Sequence, residues 1–82
     1  PTVALKTEDD RTTVYASWNG ATEVARWRIL AGDDSSHLGP VATVAKAGFE
    51  THAAVDSDAS TFAVEALAAD GSVLGRSQPV DR

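Results

Sequence analysis

Two segments that each hold one of the chain's two tryptophans constrain the fold more than any other feature. Apolar residues recur at every second position in residues 13–18 and 26–31, with Trp18 and Trp27 among them. The first set is Val14, Ala16 and Trp18, and the second is Trp27, Ile29 and Ala31. A repeat of two is typical of a β-strand that buries one face. We therefore expect two strands here, each contributing a tryptophan to a common core.

The composition predicts a small core that depends on these tryptophans. Of 82 residues, fifteen are alanine and only seventeen are Leu, Ile, Val or Phe. A chain of this length forms one domain, here 1–82, and buries about 60–65% of its unfolded surface. A buried aromatic side chain removes about 150–250 Å² from water, so each tryptophan carries a large share of the core.

Charge and cysteine content exclude several classes of protein. The net charge is −5 and the isoelectric point is near 4.7, so the chain repels the phosphate groups that nucleic-acid-binding proteins attract. We therefore expect neither nucleic acid nor an anionic membrane as a partner. No apolar run approaches the roughly 18 residues of a membrane span. Without cysteine there is neither a disulfide framework nor a thiolate zinc site. Because the chain starts at Pro1 and not at methionine, we expect it to be part of a longer protein.

Short extended segments separated by turn-forming residues recur along the whole chain. Their spacing of eight to twelve residues is typical of an all-β sandwich. We predict two antiparallel sheets with about seven strands, at residues 1–6, 12–18, 24–31, 41–46, 49–55, 61–69 and 73–80.

Two glycine-containing turns receive different interpretations. Asn19-Gly20 is a strong hairpin signal, but a two-residue loop there would place Glu23 opposite Ala16 on the buried face. We therefore expect the chain to cross from one sheet to the other at this point. Asp70-Gly71 carries no such conflict and predicts a two-residue type I′ hairpin.

Residues 60–71 are compatible with either a helix or a strand. Ser60 could cap a helix and Gly71 could end it. The alternation of Phe62 and Val64 with their neighbours, and the strand-rich context, favour a strand over residues 61–69. Extended to the whole chain, the alternation predicts a core of Val14, Ala16, Trp18, Trp27, Ile29, Phe62 and Val64.

The pattern of these strands resembles fibronectin type III domains over nearly the whole chain. The resemblance lies in Val14-x-Ala16-x-Trp18, Val24-x-x-Trp27-x-Ile29-x-Ala31 and Phe62-x-Val64-x-Ala66-x-Ala68. It implies an immunoglobulin-like sandwich in which the tryptophan of the second strand packs between the sheets. Phe62 stands where that family has a tyrosine, so the hydroxyl of the tyrosine corner is missing.

A narrower resemblance is to the C-terminal module of secreted arylsulfotransferase-family proteins. It lies in Ser17-Trp18-Asn19-Gly20-Ala21-Thr22-Glu23-Val24, in Trp27-Arg28-Ile29-Leu30-Ala31-Gly32 and, more weakly, in residues 64–75. In that family a β-propeller before the module carries the catalytic histidine. The resemblance implies a non-catalytic accessory module of a secreted or extracytoplasmic protein. Its partner would be the preceding domain of its own chain, and we expect the isolated module to be a monomer. The alternative is an independent ligand-binding or adhesion module for protein or carbohydrate.

A candidate docking face follows from the expected hairpin. A two-residue loop at Asp70-Gly71 pairs Leu67 with Leu74 on the outer surface, and the fibronectin type III order brings Leu30 beside them. We therefore expect Leu30, Leu67 and Leu74 to form an exposed apolar patch that meets the partner. A register slip of one residue would bury Leu67 and Leu74 instead.

Four sets of polar residues contain residue types that occur in functional sites, but none of the four predicts a catalytic residue, a cofactor or a metal. Residues 33–37 contain Asp, Ser and His but are consecutive in one loop, whereas a catalytic triad converges from separate elements. Residues 56–60 begin like a calcium loop but lack its later glycine and glutamate. Glu50 and His52 share a strand face and indicate a polar cross-strand pair, and Arg26 and Arg28 indicate solvent-exposed partners for Glu65.

Overall fold

The computed structural model describes residues 1–8, 11–19, 22–48, 50–56 and 58–82. Within these residues it contains eight β-strands and no helix. The strands are β1 (Thr2–Glu8), β2 (Arg11–Ser17), β3 (Arg26–Gly32), β4 (Leu38–Ala45), β5 (Glu50–Val55), β6 (Thr61–Leu67), β7 (Val73–Arg76) and β8 (Val80–Asp81). In this part of the chain, therefore, no helix is long and apolar enough to span a membrane.

The strands form two antiparallel sheets that pack as a sandwich. One sheet has three strands in the order β1-β2-β5; the other has five, in the order β4-β3-β6-β7, with β8 paired to the other end of β6. The prediction of an all-β, two-sheet antiparallel sandwich is confirmed. The predicted crossing between sheets is confirmed as well, since β2 and β3 lie in different sheets; Gly20 itself lies outside the described residues.

The sandwich has eight strands because the last expected strand is divided. β7 ends at Arg76 and β8 begins at Val80, after Pro79, which has no backbone N–H to donate. Between them the Ser77 N–H donates to the Val64 carbonyl oxygen at 2.9 Å, and the Ser77 hydroxyl accepts from the Val64 N–H at 3.0 Å. Ser77 thus satisfies the backbone of β6 where no strand pairs with it.

Residues 61–67 form a strand despite their helical propensity. β6 is hydrogen-bonded to β3 on one side and to β7 and β8 on the other. This pairing overrides a local preference worth only a few tenths of a kcal/mol per residue. The strand ends at Leu67, two residues before the predicted end at Ala69.

The loop between β6 and β7 is one residue longer than predicted, so the expected pairing of Leu67 with Leu74 is wrong. The Ala68 N–H donates to the Ser72 carbonyl oxygen and the Gly71 N–H to the Ala68 carbonyl oxygen, both at 2.9 Å. Gly71 adopts φ +90°, the left-handed conformation that ends a three-residue loop. Leu67 consequently pairs with Val73, and the ladder is irregular at this point.

The core lies between the two sheets and draws on both. Its buried members include Val14 and Ala16 from the three-stranded sheet and Trp27 from the five-stranded sheet. Trp18, just after β2, is partly buried and packs against this cluster. Other residues of the cluster are Val3, Val24, Ile29, Ala31, Val55, Phe62, Val64 and Ala66.

Candidate functional site

The outer face of the five-stranded sheet carries three arginines. Trp27 and Ile29 of β3 belong to the core, so the residues that alternate with them point away from it. The register places β6 and β7 residues beside them on the same surface. We call this surface the arginine face; it comprises Arg26, Arg28, Leu30, Ala63, Glu65, Leu67, Val73 and Arg76.

An ion pair lies at the centre of the arginine face. The Arg28 Nε donates to Glu65 Oε1 at 2.8 Å, and the side chains are 34% and 14% exposed. The two residues are direct cross-strand neighbours on β3 and β6, the arrangement in which opposite charges stabilise a sheet. The expected pairing with Glu65 is thus confirmed for Arg28 but not for Arg26, whose guanidinium donates to the Ala69 carbonyl oxygen.

Two further arginines flank this pair. Arg76 lies opposite Glu65 on the other side of β6 and is exposed; among the described residues its guanidinium has no hydrogen-bond or ion-pair partner. The Arg26 Nη2 donates to the Ala69 carbonyl oxygen at 3.2 Å. The arginine face thus has three arginines and one glutamate, which leaves it positively charged. A second carboxylate of the outer surface, Asp81, lies at the other end of β6, where it accepts from the Thr61 hydroxyl at 2.9 Å.

The predicted leucine patch is not exposed. Leu30 and Leu67 lie on the outer face but are only 5% and 4% exposed, because both sit on interior strands with paired residues on either side. Arg26 and Val73 flank Leu67 in register, and arginine stems commonly cover apolar neighbours. Leu74, displaced by the longer loop, packs against the core instead.

Val73 is an apolar residue of the arginine face that is exposed to solvent; Val41 on β4 of the same sheet is exposed to the same extent. The exposed fraction of Val73 is 49%, and it borders the buried Leu67. The expected hairpin register already pairs Glu65 with Arg76, as observed. Val73 was missed as a member of the face because the ladder shifts by one residue at Leu67.

The β3–β4 loop brings an aspartate and a histidine together. His37 Nδ1 and Asp34 Oδ1 are 2.8 Å apart, and the same oxygen accepts the Ser36 N–H at 2.9 Å. The hydrogen bond between the two side chains lowers the pKa of Asp34 and raises the pKa of His37. Within the described residues, neither Ser35 nor Ser36 donates its hydroxyl to the ring, so the loop holds a polar pair without a positioned nucleophile.

The outer face of the three-stranded sheet carries the only tyrosine of the chain. Tyr15 is half-buried and lies opposite His52, with ring centroids 5.8 Å apart at 38°. Glu50 lies opposite Ser17, not opposite a charged residue. A shallow depression beside the tyrosine is lined by Lys6, Glu8, Arg11, Thr13, Tyr15 and Asp56.

The described residues contain no group of three or more His, Cys, Asp or Glu side chains arranged to hold a metal ion. Of the segment that begins like a calcium loop, Ser57 lies outside the described residues. Asp56 lines the depression beside Tyr15 instead of meeting other carboxylates.

The fold and these surfaces define a two-sheet antiparallel β-sandwich with a positively charged outer face. No protein-family model matches the chain, and neither does a curated protein or a solved structure.

Proposed function

We propose that this chain is a non-catalytic interaction module that docks through its arginine face. The observation that carries the proposal is the arrangement of Arg26, Arg28 and Arg76 around Glu65 on the outer face of the five-stranded sheet. Arginine is enriched at protein interfaces, where its planar fork binds carboxylates and its stem packs on apolar groups. Val73 adds exposed apolar surface at the edge of the face.

The module belongs to a longer secreted protein of the arylsulfotransferase type, and its partner is the domain that precedes it. The resemblance in residues 17–32 and 64–75 supports this part of the proposal. The strand orders β1-β2-β5 and β4-β3-β6-β7 support the likeness to fibronectin type III domains, in which the third strand lies beside the sixth.

Site-specific photo-crosslinking in the natural full-length polypeptide tests the proposal. A benzophenone amino acid replaces Val73 on the arginine face or, as the control, the exposed Ala54 on the outer face of the other sheet. We expect an adduct from position 73, mapped by mass spectrometry to a preceding domain, and none from position 54. Adducts from position 54 alone, or from neither position, would contradict docking through this face.

A second candidate function is ligand binding at Tyr15. The observation that favours it is a half-buried aromatic ring beside His52 and a depression with charged and hydroxyl side chains. An aromatic ring with polar surroundings is suited to stack on a sugar. Titration with chito- and xylo-oligosaccharides, followed by NMR, tests this function: it requires shifts at Tyr15 and His52 that the Tyr15→Ala variant abolishes.

A further inference from the structure

We propose that the arginine face binds an acidic segment of a protein, with Arg28 and Arg76 holding its carboxylates and Val73 receiving an apolar side chain. This inference rests on the proposed docking function and specifies the chemistry of the partner.

The charge of the face is opposite to that of the whole protein. The chain has a net charge of −5, yet three of its five arginines lie at one end of this surface around Glu65. The other carboxylate of the outer surface, Asp81, lies opposite Thr61 at the far end of β6. Complementary charge steers association and excludes partners of the same sign. An acidic partner is therefore attracted to this face and repelled by the rest of the molecule.

The arginines retain the donors that carboxylate binding needs. Glu65 engages only the Nε of Arg28, so the two terminal nitrogens of Arg28 have no partner among the described residues. Arg28 and Arg76 lie on either side of β6, which places their Cα atoms roughly 10 Å apart. Glu65 lies between them and holds Arg28 in place, so the two guanidinium groups frame a site for one or two carboxylates.

The apolar surroundings favour a protein over a sulfated polysaccharide. Val73 is 49% exposed and continues into the buried Leu67. Arginine next to apolar groups is typical of the centre of a protein interface. A polysaccharide uses the charges but gains nothing from Val73.

Binding of synthetic probes to the isolated chain tests the inference. The probe is a fluorescent peptide of alternating glutamate and leucine; its controls are the same peptide with glutamine in place of glutamate, and a heparin-derived oligosaccharide. We expect Arg76→Gln to weaken binding of the acidic peptide roughly tenfold, the loss expected for one charge-assisted hydrogen-bonded contact. Arg76 is suitable because it is exposed and, in the described part of the chain, has no partner that the change would leave unpaired.

Arg82→Gln is the matched control variant. Arg82 is exposed and follows β8, which pairs with the other end of β6, and its replacement changes the net charge by the same amount. We expect this variant to bind like the unmodified chain, and Val73→Ala to weaken the acidic peptide but not heparin. Equal losses in the Arg82 and Arg76 variants would overturn the inference, because the attraction would then be general and not local.

Two other outcomes also contradict an acidic protein partner. One is equal binding of the glutamine peptide; the other is Arg76-dependent binding of heparin without binding of the acidic peptide. Neither result bears on the crosslinks from position 73, so the proposal of an acidic partner can be wrong while the proposed docking function is correct. Absence of those crosslinks would contradict the docking function itself.

Discussion

The indole ring of Trp18 lies directly over Gly75. A Cβ atom at position 75 would lie 2.7 Å from Cη2 and 3.0 Å from Cζ3 of the ring. Trp18 follows a strand of the three-stranded sheet, whereas Gly75 lies in β7 of the five-stranded sheet. The tryptophan therefore joins the two sheets at one edge, and the glycine leaves the space that it needs.

The first prediction concerns this contact. Gly75→Ala should destabilise the fold by about 1–3 kcal/mol, because the added methyl group forces the indole ring to move. The matched control is Gly39→Ala in β4, where no atom lies within 4 Å of the added Cβ; alanine there should be neutral or stabilise by up to about 1 kcal/mol. Urea unfolding of both variants measures the difference, and equal effects would show that the ring does not restrict position 75.

Alternation and turn residues were enough to predict the architecture. The alternation around Trp18 and Trp27 assigned both strands, and the conflict at Glu23 identified the crossing between sheets. The expected hairpin also has the observed pairs Glu65 with Arg76 and Ala66 with Gly75. The pairing of Leu67 with Val73 could not be predicted, because Asp70-Gly71 is compatible with loops of two and three residues. The choice depends on Gly71 adopting φ +90°, which the local sequence allows but does not require.

The second prediction concerns an unpaired buried hydroxyl. Thr12 is 0% exposed, and its Oγ1 has no hydrogen-bond partner among the described residues. Thr12→Val should raise the free energy of unfolding by about 1 kcal/mol, because a methyl group of equal size replaces a hydroxyl that is costly to bury.

Thr51→Val is the matched control for this prediction. Thr51 is also buried, but its Oγ1 accepts the Ala47 N–H at 2.9 Å. Loss of this bond should destabilise the fold by about 0.5–1.5 kcal/mol. Thermal unfolding of the pair should therefore give shifts of opposite sign; destabilisation of both would mean that the Thr12 hydroxyl is satisfied.

The third prediction follows from the observed hairpin register. Val73 and Leu67 are cross-strand partners on one face, yet their exposed fractions are 49% and 4%. Val73→Lys should leave the chain folded with little change in stability, whereas Leu67→Lys should destabilise it by several kcal/mol, because it places a charge in a site closed to water. Circular dichroism melting curves compare the two. An unaltered melting temperature in the Leu67 variant would contradict the burial of Leu67 and favour the exposed leucine patch expected from the sequence.

The fourth prediction concerns the Asp34–His37 pair. The hydrogen bond to Asp34 raises the pKa of His37 in the folded protein, so the pair stabilises the fold fully below the ordinary histidine pKa of about 6.5. This contribution is lost as the pH rises through the raised value. NMR titration of the His37 ring should show a lower pKa in Asp34→Asn than in the unmodified chain.

Asp33→Asn is the control for the titration. Asp33 acts on His37 only through its charge, and this is the smallest contribution to the raised pKa. Its replacement should lower the pKa of His37 by less than the Asp34 change. The reverse order would contradict the hydrogen bond seen in the loop.

The candidate site was predictable only in part. Arg28 and Glu65 could be paired from alternation, because both lie on strands whose buried faces were clear. Arg76 could be placed beside Glu65 as well, because the expected hairpin has the observed pairing of these two residues. Val73 could not be placed, since the irregularity between Ala66 and Leu67 changes the pairing at the loop end of the hairpin. The contact between Tyr15 and His52 could not be predicted, because it depends on the pairing of β2 with β5. These strands are far apart in the sequence, and no turn between them fixes their register.

Hydroxyl-radical footprinting measures most directly whether the arginine face is the docking surface. The oxidation rates of Val73 and Tyr15, one on each outer face, are compared between the isolated chain and the natural full-length polypeptide. The account predicts that Val73 is protected in the full-length protein while Tyr15 reacts as it does in the isolated chain. Protection of Tyr15 with an unchanged rate at Val73 would contradict it and place the functional surface on the three-stranded sheet.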